Sequence, residues 1–375
     1  MDQLASLKRR IGSVLEEAEG RGFEAVVFLN EVIGQNPSNF VYVCPDGLGD
    51  EHQTLVLDVD GGSTLVMPHW GAGRVEDSGR YGRVIAIKQA KDHHYRGTKE
   101  ALAGYDPRKV CFDLSTMSAQ FAHSLASTLG IPLTPDRDIS DHVFKLRTIK
   151  DEFEVAEIKR AISITEEAVT ELVEATRPGR HTLKLKKRLD AAMIEKGAVE
   201  FSFESSLGFA RGPRRPHGVI KHGDMLSLDV GCRVDTGYCS DMGRTWPITL
   251  DTDARDFLER AVTAQREGIK NIREGVTGNE VLQGAQALNE ELGLGPCIRT
   301  GHQIGLDVHD YTMPHAPSFG PIETDDQPLK PGMTLTYEPN RRDEELVMRC
   351  HFEDIVLVTD GDPVVLNEMP WDLLW

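Results

Sequence analysis

The sequence lacks the features that would send it to a membrane, to nucleic acid or to an oxidising compartment. No apolar run approaches the roughly 18 residues that a membrane-spanning helix needs. Its opening residues, Met-Asp-Gln-Leu-Ala-Ser-Leu-Lys-Arg-Arg, read as the start of an amphipathic helix rather than a signal peptide. Positive charge is in deficit. Against 60 Asp and Glu there are 42 Lys and Arg, a formal net charge of −18. That argues against nucleic acid as a partner, because phosphate-backbone affinity rests on Lys and Arg. Cysteine is sparse: positions 44, 111, 232, 239, 297 and 350 contain no Cys-x-x-Cys pair. Free thiols and a cytoplasmic location are therefore expected, with a Cys232–Cys239 disulfide as the alternative. No His stands beside either cysteine in sequence to activate it as a nucleophile.

What is present is an ordinary globular composition, 39% hydrophobic and 27% charged, over 375 residues. That length suits two domains, and we divide the chain at 1–148 and 149–375. The first part alternates helices and strands. A helix is expected over 1–22, with Leu4, Leu7, Ile11, Val14 and Leu15 at helical spacing. Buried strands are expected at 25–29 and 40–43, and further strands at 83–87 and 109–113. A hairpin pairs 53–59 with 63–67 about Asp60-Gly61-Gly62. Helices are expected over 96–104 and 116–129. This α/β part holds no constellation of metal ligands or nucleophiles, and His69, His93 and His94 read as surface or loop residues.

The second part opens with a long helix from about 151, carrying Val155, Ile158, Ile162 and Val169 on one face. A helix capped by Thr182 follows, then one over 253–273. Another begins at the capping-box pair Thr277 and Glu280. The rest is β-rich and organised around residues 229–241. Asp235-Thr236-Gly237 is turn chemistry between two apolar arms, so a hairpin is expected with Asp229 on one arm and Asp241 on the other. Pairing about residue 235 places the two nearly opposite, about 4.5–5.5 Å apart at Cβ. Carboxylates that close repel unless one keeps its proton or a cation lies between them. A divalent ion meets the need, since hard cations take carboxylate oxygens. Downstream, His302 opens a Gly-rich segment ending at His309. Glu338 ends one strand and Glu353 begins another. Four carboxylates and one imidazole are enough for two ions.

These residues stand in a recognisable order: Lys150-x-Glu152, Gly223-Asp224, Asp229-x-Gly231, Gly237-Tyr238-x-Ser240-Asp241-x-x-Arg244-Thr245, Gly301-His302-x-Ile304-Gly305-Leu306-x-Val308-His309, Gly332-Met333, Glu338-Pro339 and Glu353-Asp354. In that order they resemble the pita-bread metallopeptidases, the group of aminopeptidase P, prolidase and methionine aminopeptidase. The resemblance spans about 146–367. The part before it looks like the smaller creatinase-like domain that precedes the catalytic one in aminopeptidase P and prolidase. The resemblance implies an α/β (α+β) chain ending in a pita-bread domain, two divalent metal ions and a homodimer. It implies Asp229, Asp241, His302, Glu338 and Glu353 as metal ligands, with Asp241 and Glu353 shared between the ions. Manganese suits so oxygen-rich a set, with cobalt, zinc or iron as alternatives. It further implies a hydrolase whose bridging hydroxide attacks a small Xaa-Pro peptide. Glu338 and His309 would handle protons, and His217 is a candidate substrate contact.

The chain departs from that pattern in four places. Asp229 and Asp241 are one residue further apart than in typical relatives. Ile298 stands where a second His is usual. His351 stands where an Arg usually precedes the second Glu by two. The Pro216-His217 pair lies closer to Asp229 than in the family. Arg211, Arg214 and Arg215 crowd the same loop and could receive a substrate carboxylate. The altered positions keep open a small non-peptide substrate, cleaved by an amidinohydrolase, a ring-opening hydrolase or a lyase. A non-catalytic binding module is the other alternative.

Overall fold

Ala25–Asn30 is a run of six buried residues that forms strand β1 inside the first sheet. The computed structural model describes residues 1–30, 38–45, 52–88, 93–115, 117–215, 217–310, 328–339 and 341–373. They form two compact units, Met1–Leu146 and Arg147–Trp375. In the first, β1 is flanked by helices α1 (Gln3–Gly20) and α2 (Ser38–Val43), then β2 (Gln53–Asp58), β3 (Ser63–Pro68), α3 (His69–Ser78) and β4 (Arg83–Ile87). Next come α4 (His93–Ala101), β5 (Val110–Phe112), α5 (Ala119–Leu129) and α6 (Ser140–Thr148). The sheet order is β4-β3-β2-β1-β5. β2 pairs antiparallel with both β1 and β3, while β4 and β5 join in parallel at the edges. Val27, Leu29, Val66, Phe112 and Leu125 are buried in its core. Each such side chain contributes about 1.5–3 kcal/mol by leaving water.

Three expectations for this unit need correction. Residues 40–43 lie in α2, not in a strand; a short, fully buried apolar run has no periodicity to tell the two apart. The buried stripe of α1 is Ser6, Arg10, Val14 and Ala18, and Leu4 is exposed. Arg10 goes inward because its guanidinium sits 4.6 Å from the Tyr42 ring centroid and donates to the Tyr42 carbonyl. His94 is buried in α4, its Nε2 2.6 Å from Thr54 Oγ1, rather than on the surface. His69 begins α3, and the side chain of His93 lies outside the described residues.

The second unit starts with α7 (Glu152–Ala175), closed at its N-terminus by a capping box between Asp151 and Glu154. α8 (Thr182–Glu195) is capped by His181 rather than Thr182. The Thr182 hydroxyl is buried and accepts from the Gly218 amide instead. Strands β6 (Glu200–Phe201), β7 (Ser206–Phe209), β8 (Met225–Val230), β9 (Cys232–Arg233) and β10 (Met242–Pro247) follow, then α9 (Thr252–Ile269) and α10 (Gly278–Glu291). The capping box expected at Thr277 and Glu280 starts α10. The chain ends with β11 (Thr334–Tyr337), β12 (Arg341–Asp343), β13 (Met348–Cys350), β14 (Asp354–Leu357) and β15 (Val364–Val365).

Two antiparallel sheets, β10-β8-β7 and β11-β14-β15, are joined by a single bridge, and a second bridge adds the His302 segment to β11. Gly243 on β10 pairs with Glu353, and Leu335 on β11 pairs with Gln303. Asp229, Glu353, Glu338 and His302 thus sit on, or next to, successive neighbours across one β surface. Ile269, Val281 and Leu282 from the α9–α10 region pack with Leu335, Tyr337 and Val356 behind it. All six cysteines are buried and none is in a disulfide, so Cys232 and Cys239 are not bridged. Among the described residues no helix is long and apolar enough to cross a membrane.

Candidate metal centre

The hairpin turn falls where its sequence indicates, but its axis is at residue 236. Val234 and Tyr238 close a three-residue loop in which Gly237 adopts φ 92°, a left-handed conformation that favours glycine. The register sets Asp229 opposite Gly243 and Val230 opposite Met242. Asp241, one residue before β10, is therefore diagonal to Asp229, offset by two along the same face, rather than opposite it.

His302 brings the first ring. Its Nδ1 lies 3.0 Å from the Gln303 carbonyl, an acceptor only, so Nδ1 is the donor there and Nε2 is the nitrogen left to face the carboxylates. That Nε2 is 3.5 Å from Asp241 Oδ2, 3.6 Å from Glu338 Oε1 and 3.9 Å from Glu353 Oε1. Glu353 turns its other oxygen the opposite way: Oε2 is 3.1 Å from His351 Nε2, which is itself 3.7 Å from Asp229 Oδ2. The described residues thus contain two groups able to hold a cation, Asp241-His302-Glu353 and Asp229-His351-Glu353. Glu353 belongs to both, one oxygen to each.

Electrostatics point the same way. Asp241 Oδ1 and Glu353 Oε1 are buried without a hydrogen-bond partner. Burial, then the charges of Asp229 and Glu338, raises the Asp241 pKa well above the carboxylate range. Burial, then the charge of Glu353, pushes Glu338 up to about 7; burial, then the charge of Asp241, does the same to Glu353. Buried carboxylates with orphaned oxygens are what a bound cation would satisfy. The residues fit divalent metal.

Around the cluster, Arg299 donates to Glu338 Oε2 at 3.1 Å. His309 is exposed, its ring 4.1 Å from that of His302, centroid to centroid. Next to it, Asp310 is buried and paired with both Lys150, at 3.2 Å, and Arg147. Lys150 ties Asp310 to the segment that opens α7, with Arg147 three residues before it as the second partner; the sequence pattern flagged Lys150 but gave no sign of its partner. His217 is exposed, and Pro216 beside it lies outside the described residues.

A cavity of about 650 Å³ opens against Asp229 and His351. Ile298 lines it and is 66% exposed. His217 does not line it. Among the described lining residues Asp229 is the sole carboxylate against five arginines. Arg215 is paired with Asp224 and Arg342 with Glu344. Arg349 donates to the carbonyls of Phe209 and Gly212, and burial, then the Arg214 charge, depresses its pKa. Neither Arg214 nor Arg349 has a carboxylate partner among the described residues.

Comparison with known proteins follows the same line. The chain is 27% identical over 329 residues to the probable dipeptidase PepE of Mycobacterium tuberculosis, covering 85% of this chain and 84% of that protein. It is 27% identical over 246 residues to the Xaa-Pro dipeptidase of Pyrococcus furiosus, covering 64% and 68%. The solved structure of an Xaa-Pro dipeptidase from Bacillus anthracis matches with a TM-score of 0.81 at 21% identity, over 98% of this chain and 99% of that one. That match shows the pita-bread fold. Residues 156–360, more than half of the chain, match the model of metallopeptidase family M24, and the chain belongs to that family.

Proposed function

We propose that the chain is a two-metal peptidase that hydrolyses small Xaa-Pro peptides, with residues 149–375 as its catalytic domain. The observation that carries this reading is Glu353 shared between two ligand groups in an M24 chain. Asp229, Asp241, His302, Glu338 and Glu353 are assigned as metal ligands. Two divalent ions bound there supply a nucleophile at neutral pH and polarise the scissile carbonyl. The predominance of carboxylate oxygen suits manganese.

The chain's own groups do the rest. Glu338 takes the proton released by attack and passes it to the leaving nitrogen. His309, exposed beside His302, donates to the carbonyl oxygen as charge builds there. Arg214 and Arg349 offer charge-assisted hydrogen bonds to a substrate carboxylate. Reception of the prolyl carboxylate by these arginines would favour dipeptides over longer chains. His217, exposed and away from the cavity lining, is left without a role.

The experiment is release of proline from Xaa-Pro dipeptides and Xaa-Pro-Yaa tripeptides by chelator-treated protein, with and without added manganese. Metal-dependent cleavage of dipeptides supports the reading. Protein that binds two ions yet cleaves neither set would refute it and leave the non-peptide hydrolase or lyase, which Ile298 and the arginine-lined cavity also suit. A homodimer in the cytoplasm is the expected assembly, checked by sedimentation and fractionation.

A further inference from the structure

We propose that His351 is itself a ligand, completing the ion site at Asp229, so that each of the two ions receives one imidazole. The inference rests on the two-metal reading above. At this position the family resemblance implies an Arg, which carries its charge permanently and cannot coordinate. His351 Nε2 instead lies 3.1 Å from Glu353 Oε2 and 3.7 Å from Asp229 Oδ2. The donor atoms of all three residues fall within 4.8 Å of one another.

The position is built rather than incidental. Residue 243 on the adjoining strand is glycine, and a Cβ there would come within 2.3 Å of the His351 ring. The backbone is pinned on both sides: His351 N donates to Thr245 Oγ1 at 2.9 Å, and Glu353 N to the Gly243 carbonyl at 3.1 Å. Glu353 Oε1, buried and unpartnered, points to the His302 group while Oε2 meets His351. The arrangement therefore repeats on both sides of one shared carboxylate: imidazole, one Glu353 oxygen, aspartate. Because imidazole suits cobalt and zinc better than it suits manganese, His351 should also tilt the Asp229 site toward those metals.

The competing role is a protonated ring that merely pairs with the two carboxylates. An Arg would preserve that role, and a ligand role would not survive it. The test titrates metal-free full-length protein with cobalt(II), following bound equivalents and the visible ligand-field absorption. Wild type, His351→Arg and His351→Gln are compared, with circular dichroism to confirm the fold. A ligand role predicts that both variants keep the first equivalent and bind the second about tenfold more weakly or worse, with a changed spectrum. His351→Arg holding two equivalents with wild-type affinity and spectrum would overturn it. Should the variants not fold, electron spin-echo spectroscopy of wild-type protein with ¹⁵N-histidine and manganese decides. Two coupled imidazole nitrogens support the assignment, and one overturns it. Wild type that binds fewer than two ions overturns the two-metal reading and this inference with it.

Discussion

Arg244 and Asp354 form an ion pair, Nη2 to Oδ1 at 2.7 Å, with neither side chain more than 1% exposed. The same guanidinium donates to the carbonyls of Gly243 and Glu353, while Asp354 Oδ2 accepts from Gln265 and Trp371. The backbone from Glu353 into β14 is thereby held against Gly243 on β10. Arg244→Met strands a buried carboxylate and should cost about 3–5 kcal/mol. Urea denaturation of the metal-free protein reads the loss, and metal retention should fall with it. An unchanged midpoint would show that the pair does not hold the strand.

His309 stands in ring contact with His302 yet outside both ligand groups. His309→Ala should lower turnover by about 10²-fold or more, the scale of a lost proton-handling group, with two ions still bound. Metal analysis beside steady-state kinetics separates the outcomes. Loss of an ion would make His309 a ligand.

Arg349→Gln removes a guanidinium that donates to carbonyls and faces the cavity. For an Xaa-Pro dipeptide KM should rise roughly tenfold to hundredfold, the worth of a hydrogen bond to a charged group. The matching prolinamide, which lacks the carboxylate, should show little change. An equal loss on both would place Arg349 in the scaffold.

In the first unit His94 is buried against Thr54, and burial, then the nearby His52 charge, takes its pKa down to about 3. The folded ring stays neutral where the unfolded one protonates, from 6.5 downward. This contribution is therefore fully present above pH 6.5 and falls by about 1.4 kcal/mol per pH unit below it, until the folded value is reached. His94→Gln should flatten that slope. Hydrogen exchange of amides in β1 and β2 across the range would measure it, and identical slopes would exclude His94.

The residues that gather at Glu353 were legible because the carboxylates lie at or near strand ends and His302 follows a Gly, each beside Gly, Asp or Pro neighbours, and their order is readable without any alignment. The register was less so: the turn residues are plain, but only the closure of Val234 on Tyr238 sets the axis at 236 and makes Asp229 and Asp241 diagonal. His351 could be seen as a departure from the pattern, but not as a ring aimed at Asp229, because aim depends on the empty space over Gly243. The Lys150–Asp310 contact joins residues 160 apart and left no trace in spacing. The burial of His94 is hidden for a related reason: a polar residue goes inside when a partner such as Thr54 waits there, and the partner is set by the fold.

Six buried thiols give this protein a built-in clock. Burial drives Cys111 and Cys239 up to about 12, so in the closed state neither offers thiolate to an alkylating reagent. Cys44 and Cys111 belong to the first unit; Cys232 and Cys239 flank the turn between the two aspartates. The labelling rate at each pair times a separate opening event, one for the first sheet and one for the hairpin that holds Asp229 and Asp241. Metal that clasps the hairpin should slow the second and leave the first untouched.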